Sequence, residues 1–210
     1  MKPATVTKTA LLLIDIQEAF RHPTFWGTSR STPSFESNVA KLLQAVRKYN
    51  AAHQQQPIAI FHVHHHSEGL SSPLNPLNQL PGTSIYGASP QSCAMPVEGE
   101  PVITKHVNSA LIGTGLEAQL RSFGAQQLIV SGLTTDHCVS TTVRMMANLK
   151  ILAEPHDDNG IILLRDATAT WARGEFDPET VHAVSLASLN EEFASVYETS
   201  DVIKAVIETL

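Results

Sequence analysis

Short apolar runs punctuate this chain, and between them apolar residues return at every third or fourth position. The runs are Thr9–Asp15 (TALLLID), Pro57–His64 (PIAIFHVH), Pro101–Lys105 (PVITK), Gln127–Gly132 (QLIVSG) and Gly160–Ala167 (GIILLRDA), with Glu192–Glu198 (EFASVYE) a weaker sixth. Continuous rather than alternating hydrophobicity predicts strands covered on both faces, as in a parallel sheet. Helical spacing fills the gaps. Val39, Leu42, Leu43 and Val46 share one face; so do Leu116, Leu120 and Phe123, closed by Gly124; so do Val139, Thr142, Val143 and Met146. Asp177 then Pro178 is an N-cap and first-turn proline opening a fourth helix. Val202, Ile203, Val206, Ile207 and Leu210 predict a last amphipathic helix, capped near Ser200. Strand–helix alternation throughout predicts a doubly wound α/β sandwich, read as a single domain over residues 1–210.

Residues 65–100 do not fit that rhythm: they hold five of the twelve prolines and no periodic element. A connection of that length is either a lid or wall over a site, or a packed surface loop or subunit contact, and both stay open here. Charge narrows the partners. Fourteen Lys and Arg against twenty Asp and Glu give a net charge of -6 with no basic cluster, so neither nucleic acid nor an anionic membrane is an expected partner. Asp15 ends the apolar run Ala10–Ile14 too early for a signal-peptide core or a membrane span. Two cysteines, Cys93 and Cys138, are too few for a disulfide framework, so the chain is expected to be soluble and cytoplasmic.

Ligands of open parallel sheets bind beyond the carboxyl ends of the strands, where strand order reverses. Three strand patterns run into reactive side chains there: Asp15 after LLLI, Lys105 after VIT, and Cys138 after LIVSGLTTDH, at the start of a helix. Each residue alone has an ordinary structural reading. A cysteine is often a small buried hydrophobe, a strand-end aspartate caps a helix, and a strand-end lysine is solvated. Together they form a chemical set. A helix N-terminus and the Lys105 charge would favour the thiolate, Asp15 could take the thiol proton and return it to a leaving amine, and backbone N–H groups between Thr134 and Cys138 could hold an oxyanion.

Four blocks carry a resemblance. DIQEAF (Asp15–Phe20), K-x-x-x-S-A-L-I-G-T (Lys105–Thr114), GLTTDHCVSTTVRMMANL (Gly132–Leu149) and DATATW (Asp166–Trp171) resemble, in that order, the isochorismatase-like cysteine hydrolase superfamily, from about Ala10 to Val196. The resemblance implies a Rossmann-like three-layer sandwich with a mostly parallel six-stranded sheet and an Asp–Lys–Cys triad falling on Asp15, Lys105 and Cys138. It implies a cis Leu133–Thr134 bond, an oxyanion hole of the Thr134 and Cys138 amides, and a homo-oligomer, dimer or tetramer. One departure is Lys150–Gly160 (KILAEPHDDNG), which reads as a surface excursion that the family usually lacks.

The superfamily contains amidases of small C–N substrates and isochorismatases that cleave a vinyl ether and often lack the cysteine. Retention of Cys138 points to a small amide-like substrate and a thioester; an ether hydrolase, or a silent binding or scaffold member, is the alternative. Nicotinamidases of the family carry a metal site near the second strand, and His62, His64 and His66 in HVHHHS would share one strand face. The matching aspartate is absent, so no metal and no cofactor is expected. Phe20, Trp26, His64, Tyr86, Thr135 and His137 are candidate substrate contacts by position. Asp136 reads as the N-cap of the Cys138 helix, Asp166 as a structural hydrogen-bond partner, and Cys93 as incidental.

Overall fold

Leu11, Leu12 and Leu13 are all buried, and so are Leu128, Ile129 and Val130, which is what a run without alternation requires of strands covered on two faces. The computed structural model describes residues 1–155 and 160–208. The strands are β1 (Thr9–Ile14), β2 (Ala59–His65), β3 (Val102–Lys105), β4 (Gln127–Leu133), β5 (Ile161–Ala169) and β6 (Ser195–Tyr197). They form one sheet in the order β3-β2-β1-β4-β5-β6, and every pairing is parallel. Strand order reverses between β1 and β4, where Ile14 lies in register with Gly132.

The faces sort by parity. Leu11 and Leu13 of β1 and Ile60 of β2 join Val39, Leu42 and Val46 of α2 (Phe35–Ala52), the helix after the single turn α1 (Pro23–Trp26), and the C-terminal Val202 and Val206. Leu12, Ile14, Phe61 and Val63 face the other way. They pack with Leu116 and Leu120 of α3 (Leu116–Phe123), Val143 and Met146 of α4 (Ser140–Asn148), and Leu186 of α5 (Pro178–Leu189). The result is a three-layer α/β sandwich. Asp177 caps α5 by accepting from the Thr180 N–H at 3.0 Å, and Gly124 closes α3 in the left-handed conformation, both as the sequence pattern indicates.

The C-terminal helix is shorter than expected. A single turn, Thr199–Val202, runs into a wider one, Ile203–Ile207, and Leu210 lies outside the described residues. Ser200 is not its cap: Asp166 reaches from β5 and accepts from both the N–H and the hydroxyl of Thr199, at 2.8 and 2.6 Å. Of the Lys150–Gly160 segment, residues 156–159 lie outside the described residues, while Ile151 is buried and the Ala153 N–H bonds to Ala125 O. No helix among the described residues is long and apolar enough to cross a membrane.

Candidate active site

β1 stops at Ile14 because the next residue is a carboxylate in a left-handed turn: Asp15 has φ 53°, a conformation aspartate tolerates better than most side chains. Two strands away, β3 ends on Lys105, paired in register with His65 at the end of β2. β4 ends at Leu133, the Leu133–Thr134 bond is cis, and a single wide helical turn, Thr135–Val139, carries Cys138 ahead of α4. Gly132 permits the close approach of β1 and β4, since a Cβ there would lie 2.0 Å from Ile14 O.

These ends converge. Lys105 Nζ lies 2.7 Å from Asp15 Oδ2 and 3.3 Å from Cys138 Sγ, and it donates to Val107 O at 3.1 Å. His65 Nδ1 is 3.2 Å from the same nitrogen. Asp15 and Lys105 are fully buried. The ammonium and the carboxylate form a buried ion pair, and the Cys138 thiol also lies against the carboxylate. A cavity of about 150 Å³ opens beside them, lined by Asp15, Phe20, Trp26, His65, Leu74, Asn108, Thr134, His137 and Cys138.

Burial dominates the electrostatics. It pushes Asp15 up from the usual carboxylate range, against the pull of the Lys105 charge. The Cys138 thiol is pushed up to about 12, first by burial and then by the Asp15 carboxylate, which together outweigh Lys105. The expected pull of Lys105 and the helix start toward a thiolate is outweighed here, and the sulfur sits as a thiol beside a candidate base.

Phe20, Trp26 and His137 line the cavity; His64, Tyr86 and Thr135 do not. His64 fails by strand parity: it points with Ile60 to the α2 face, buried, while its neighbour His65 points to the cavity. Tyr86 stands exposed in the long loop. The Thr135 hydroxyl turns inward to His182 Nδ1 at 2.9 Å. Asp136 is no N-cap; it binds Thr170 Oγ1 at 2.5 Å and Arg173 Nε at 2.7 Å, tying the Cys138 turn to the end of β5. Residues 65–100 act partly as a wall, through Leu74, and partly as a packed loop. Their far end is stapled to the segment just after β1 by bonds from Glu18 N to Ser89 O and from Gln91 N to Ile16 O.

Sequence reasoning missed His65, Asn108 and Leu74. Asn108 sits three residues after Lys105, its Oδ1 3.8 Å from Sγ, and the Lys105 block that contains it was the available signal. Asp15, His65 and Cys138 offer donor atoms within 4.8 Å of one another, a metal-like set. It does not fit a cation, because Lys105 Nζ touches all three members and already supplies the positive charge. His62, on the opposite face, is taken by Glu100 Oε2 at 2.8 Å, and His62, His64 and His66 form no such set among the described residues.

A family model for the isochorismatase domain matches residues 9–201. The chain belongs to the isochorismatase family. It is a hydrolase of that family, 33% identical over 96% of its length to YrdC of Bacillus subtilis, an uncharacterized isochorismatase family protein of which 98% is covered. N-carbamoylsarcosine amidase of an Arthrobacter species is 31% identical over 65% of this chain and 53% of its own. Among solved structures, an isochorismatase-family protein from Chromobacterium violaceum superposes with a TM-score of 0.77 at 35% identity, covering 94% of this chain and 93% of that one.

Proposed function

We propose that this isochorismatase-family hydrolase cleaves the C–N bond of a small amide-like substrate through a thioester on Cys138, with Asp15 and Lys105 completing the triad. The observation that carries the reading is the contact of one buried ammonium, Lys105 Nζ, with both Asp15 Oδ2 (2.7 Å) and Cys138 Sγ (3.3 Å). The similarity to N-carbamoylsarcosine amidase supports an amide-like substrate. A cavity of about 150 Å³ suits a small one, since a space of that size holds a benzene-sized molecule.

In this reading the thiol proton passes to Asp15 as sulfur attacks the carbonyl carbon. Lys105 offsets the negative charge held by the carboxylate before the transfer and by the sulfur during it. The carbonyl oxygen, now an oxyanion, is held by the amides of Thr134 and Cys138. Thr134 O accepts from the amides of His137 and Val139, both at 3.2 Å, which leaves the Cys138 amide between them free of that carbonyl. Collapse breaks the C–N bond, and Asp15 returns its proton to the departing nitrogen. Water then gives a proton to Asp15 and its hydroxyl to the thioester carbon. The acid leaves and the proton goes back to sulfur.

The test is turnover of N-carbamoylsarcosine, nicotinamide and ureides, followed by ammonia release. Cys138→Ala should abolish turnover at an unchanged melting temperature, and quenched wild-type reactions should carry the acyl mass on the Cys138 peptide. Turnover that survives Cys138→Ala excludes the thioester route.

A further inference from the structure

We propose that His65 is a positioning residue for Lys105: its Nδ1 accepts one ammonium proton, fixing the tautomer with hydrogen on Nε2. The inference deepens the triad reading above and rests on it.

The argument starts from register. His65 and Lys105 are directly paired on neighbouring parallel strands, so their side chains leave the same face of the sheet and meet, Nδ1 to Nζ, at 3.2 Å. An ammonium has three protons and no lone pair. Lys105 faces Val107 O at 3.1 Å, His65 Nδ1 at 3.2 Å, and the Asp15 and Cys138 pair at 2.7 and 3.3 Å. The nitrogen that faces an ammonium must accept, so the imidazole proton belongs on Nε2. Lys105 is fully buried, so the contacts around its nitrogen set where the ammonium points, and with Nδ1 removed it loses one of them and is free to swing from sulfur.

The main chain of His65 is itself held. Gln17, buried, donates from Nε2 to His65 O at 2.9 Å and accepts from the His65 N–H at 2.8 Å, clamping the backbone of this residue at both ends. The same amide also donates to Ala88 O at 2.8 Å, so the clamp ties the long loop to the end of β2. Burial and the Lys105 charge lower His65 to about 4, which keeps the ring neutral at pH 7 and is consistent with an accepting Nδ1. No group of the triad performs this task, and Asp15, on β1, approaches the ammonium from another side.

Two isosteres separate the ends of the ring. His65→Asn keeps an acceptor where Nδ1 stands, and His65→Gln keeps a donor where Nε2 stands. The probe is iodoacetamide, with alkylation of Cys138 followed by peptide mass at alkaline pH. His65→Asn should stay within about threefold of wild type, and His65→Gln should slow by about tenfold or more, the loss expected of a charge-assisted bond. Nitrogen-15 spectra of histidine-labelled wild type, with His65 assigned by its absence in a variant, read the tautomer without any substitution in the measured protein. The Nε2–H form at pH 7 supports the inference. An Nδ1–H form or an imidazolium overturns it, and so does a His65→Gln rate equal to that of His65→Asn. Turnover surviving Cys138→Ala would instead bring down the thioester reading, whatever the tautomer.

Discussion

Asp15→Asn separates two effects of one carboxylate on one thiol. The Asp15 and Cys138 polar atoms lie within 4.8 Å of each other, and the thiol is pushed up to about 12 by burial and by that negative charge. Asparagine keeps the shape and removes the charge, while Lys105 stays 3.3 Å from sulfur. At the 4.8 Å between the Asp15 and Cys138 atoms a unit charge pair interacts with about 3.5 kcal/mol at an effective dielectric constant of about 20. At about 1.4 kcal/mol per decade, the thiolate population at a given pH should rise by roughly two orders of magnitude. The variant should therefore carry a more acidic cysteine and yet lose turnover, because nothing is left to take the thiol proton and hand it to the leaving nitrogen.

The assay is the ultraviolet absorbance of the thiolate against pH. It is run in a Cys93→Ser background, because Cys93, lifted to about 11 by burial, would titrate in the same range. A titration that stays put or moves up in Asp15→Asn would refute the coupling argued from the geometry. Turnover at the wild-type rate would refute the role of base.

Two further perturbations test the frame. Gly132→Ala places a Cβ 2.0 Å from Ile14 O and 2.7 Å from Ile14 N at a φ of +138°, in the two central strands that carry Asp15 and Cys138. The expected cost is about 3 kcal/mol or more, seen as a large drop in melting temperature, and a drop of only a degree or two would contradict the packing. His64 is buried and held neutral, lowered to about 4 by burial and then by the charges of His62 and His66. The unfolded chain takes up that proton below about 6.5 and the folded chain refuses it until about 4, so stability is whole above the upper value and falls through that window, by about 3 kcal/mol in all. Urea unfolding at pH 7 and at pH 4.5 should show the loss, and His64→Gln should lose distinctly less; an equal loss in both proteins would sink the assignment.

Most of the fold was legible because period and burial coincide. The unbroken apolar runs at Leu11–Ile14 and Leu128–Val130 are central strands covered on both faces, and the doubly wound layout follows from their alternation with helices. The convergence of Asp15, Lys105 and Cys138 followed from the same pattern, since in an all-parallel sheet every strand end lies on one edge. β5 was read two residues short because its register with β4 breaks between Val130 and Gly132, and a bulge has no period.

The cavity wall was less legible because it depends on side-chain direction and on contacts distant in sequence. His64 and His65 differ by one position and therefore by a whole sheet face, and the end of β2 gave no polar alternation to fix which one looks at Cys138. Thr135 was drawn away by His182, 47 residues on, and Asp136 by Thr170 and Arg173, partners that no local pattern announces. The charge state of the sulfur was less legible for a related reason. Sequence supplies the identities of the neighbouring groups, of which Lys105 and the helix start favour a thiolate, but not how thoroughly the site is desolvated. With Asp15 and Lys105 both fully buried, their fields on the sulfur oppose each other and the cost of an ion without water is the largest influence, so the thiol stays protonated.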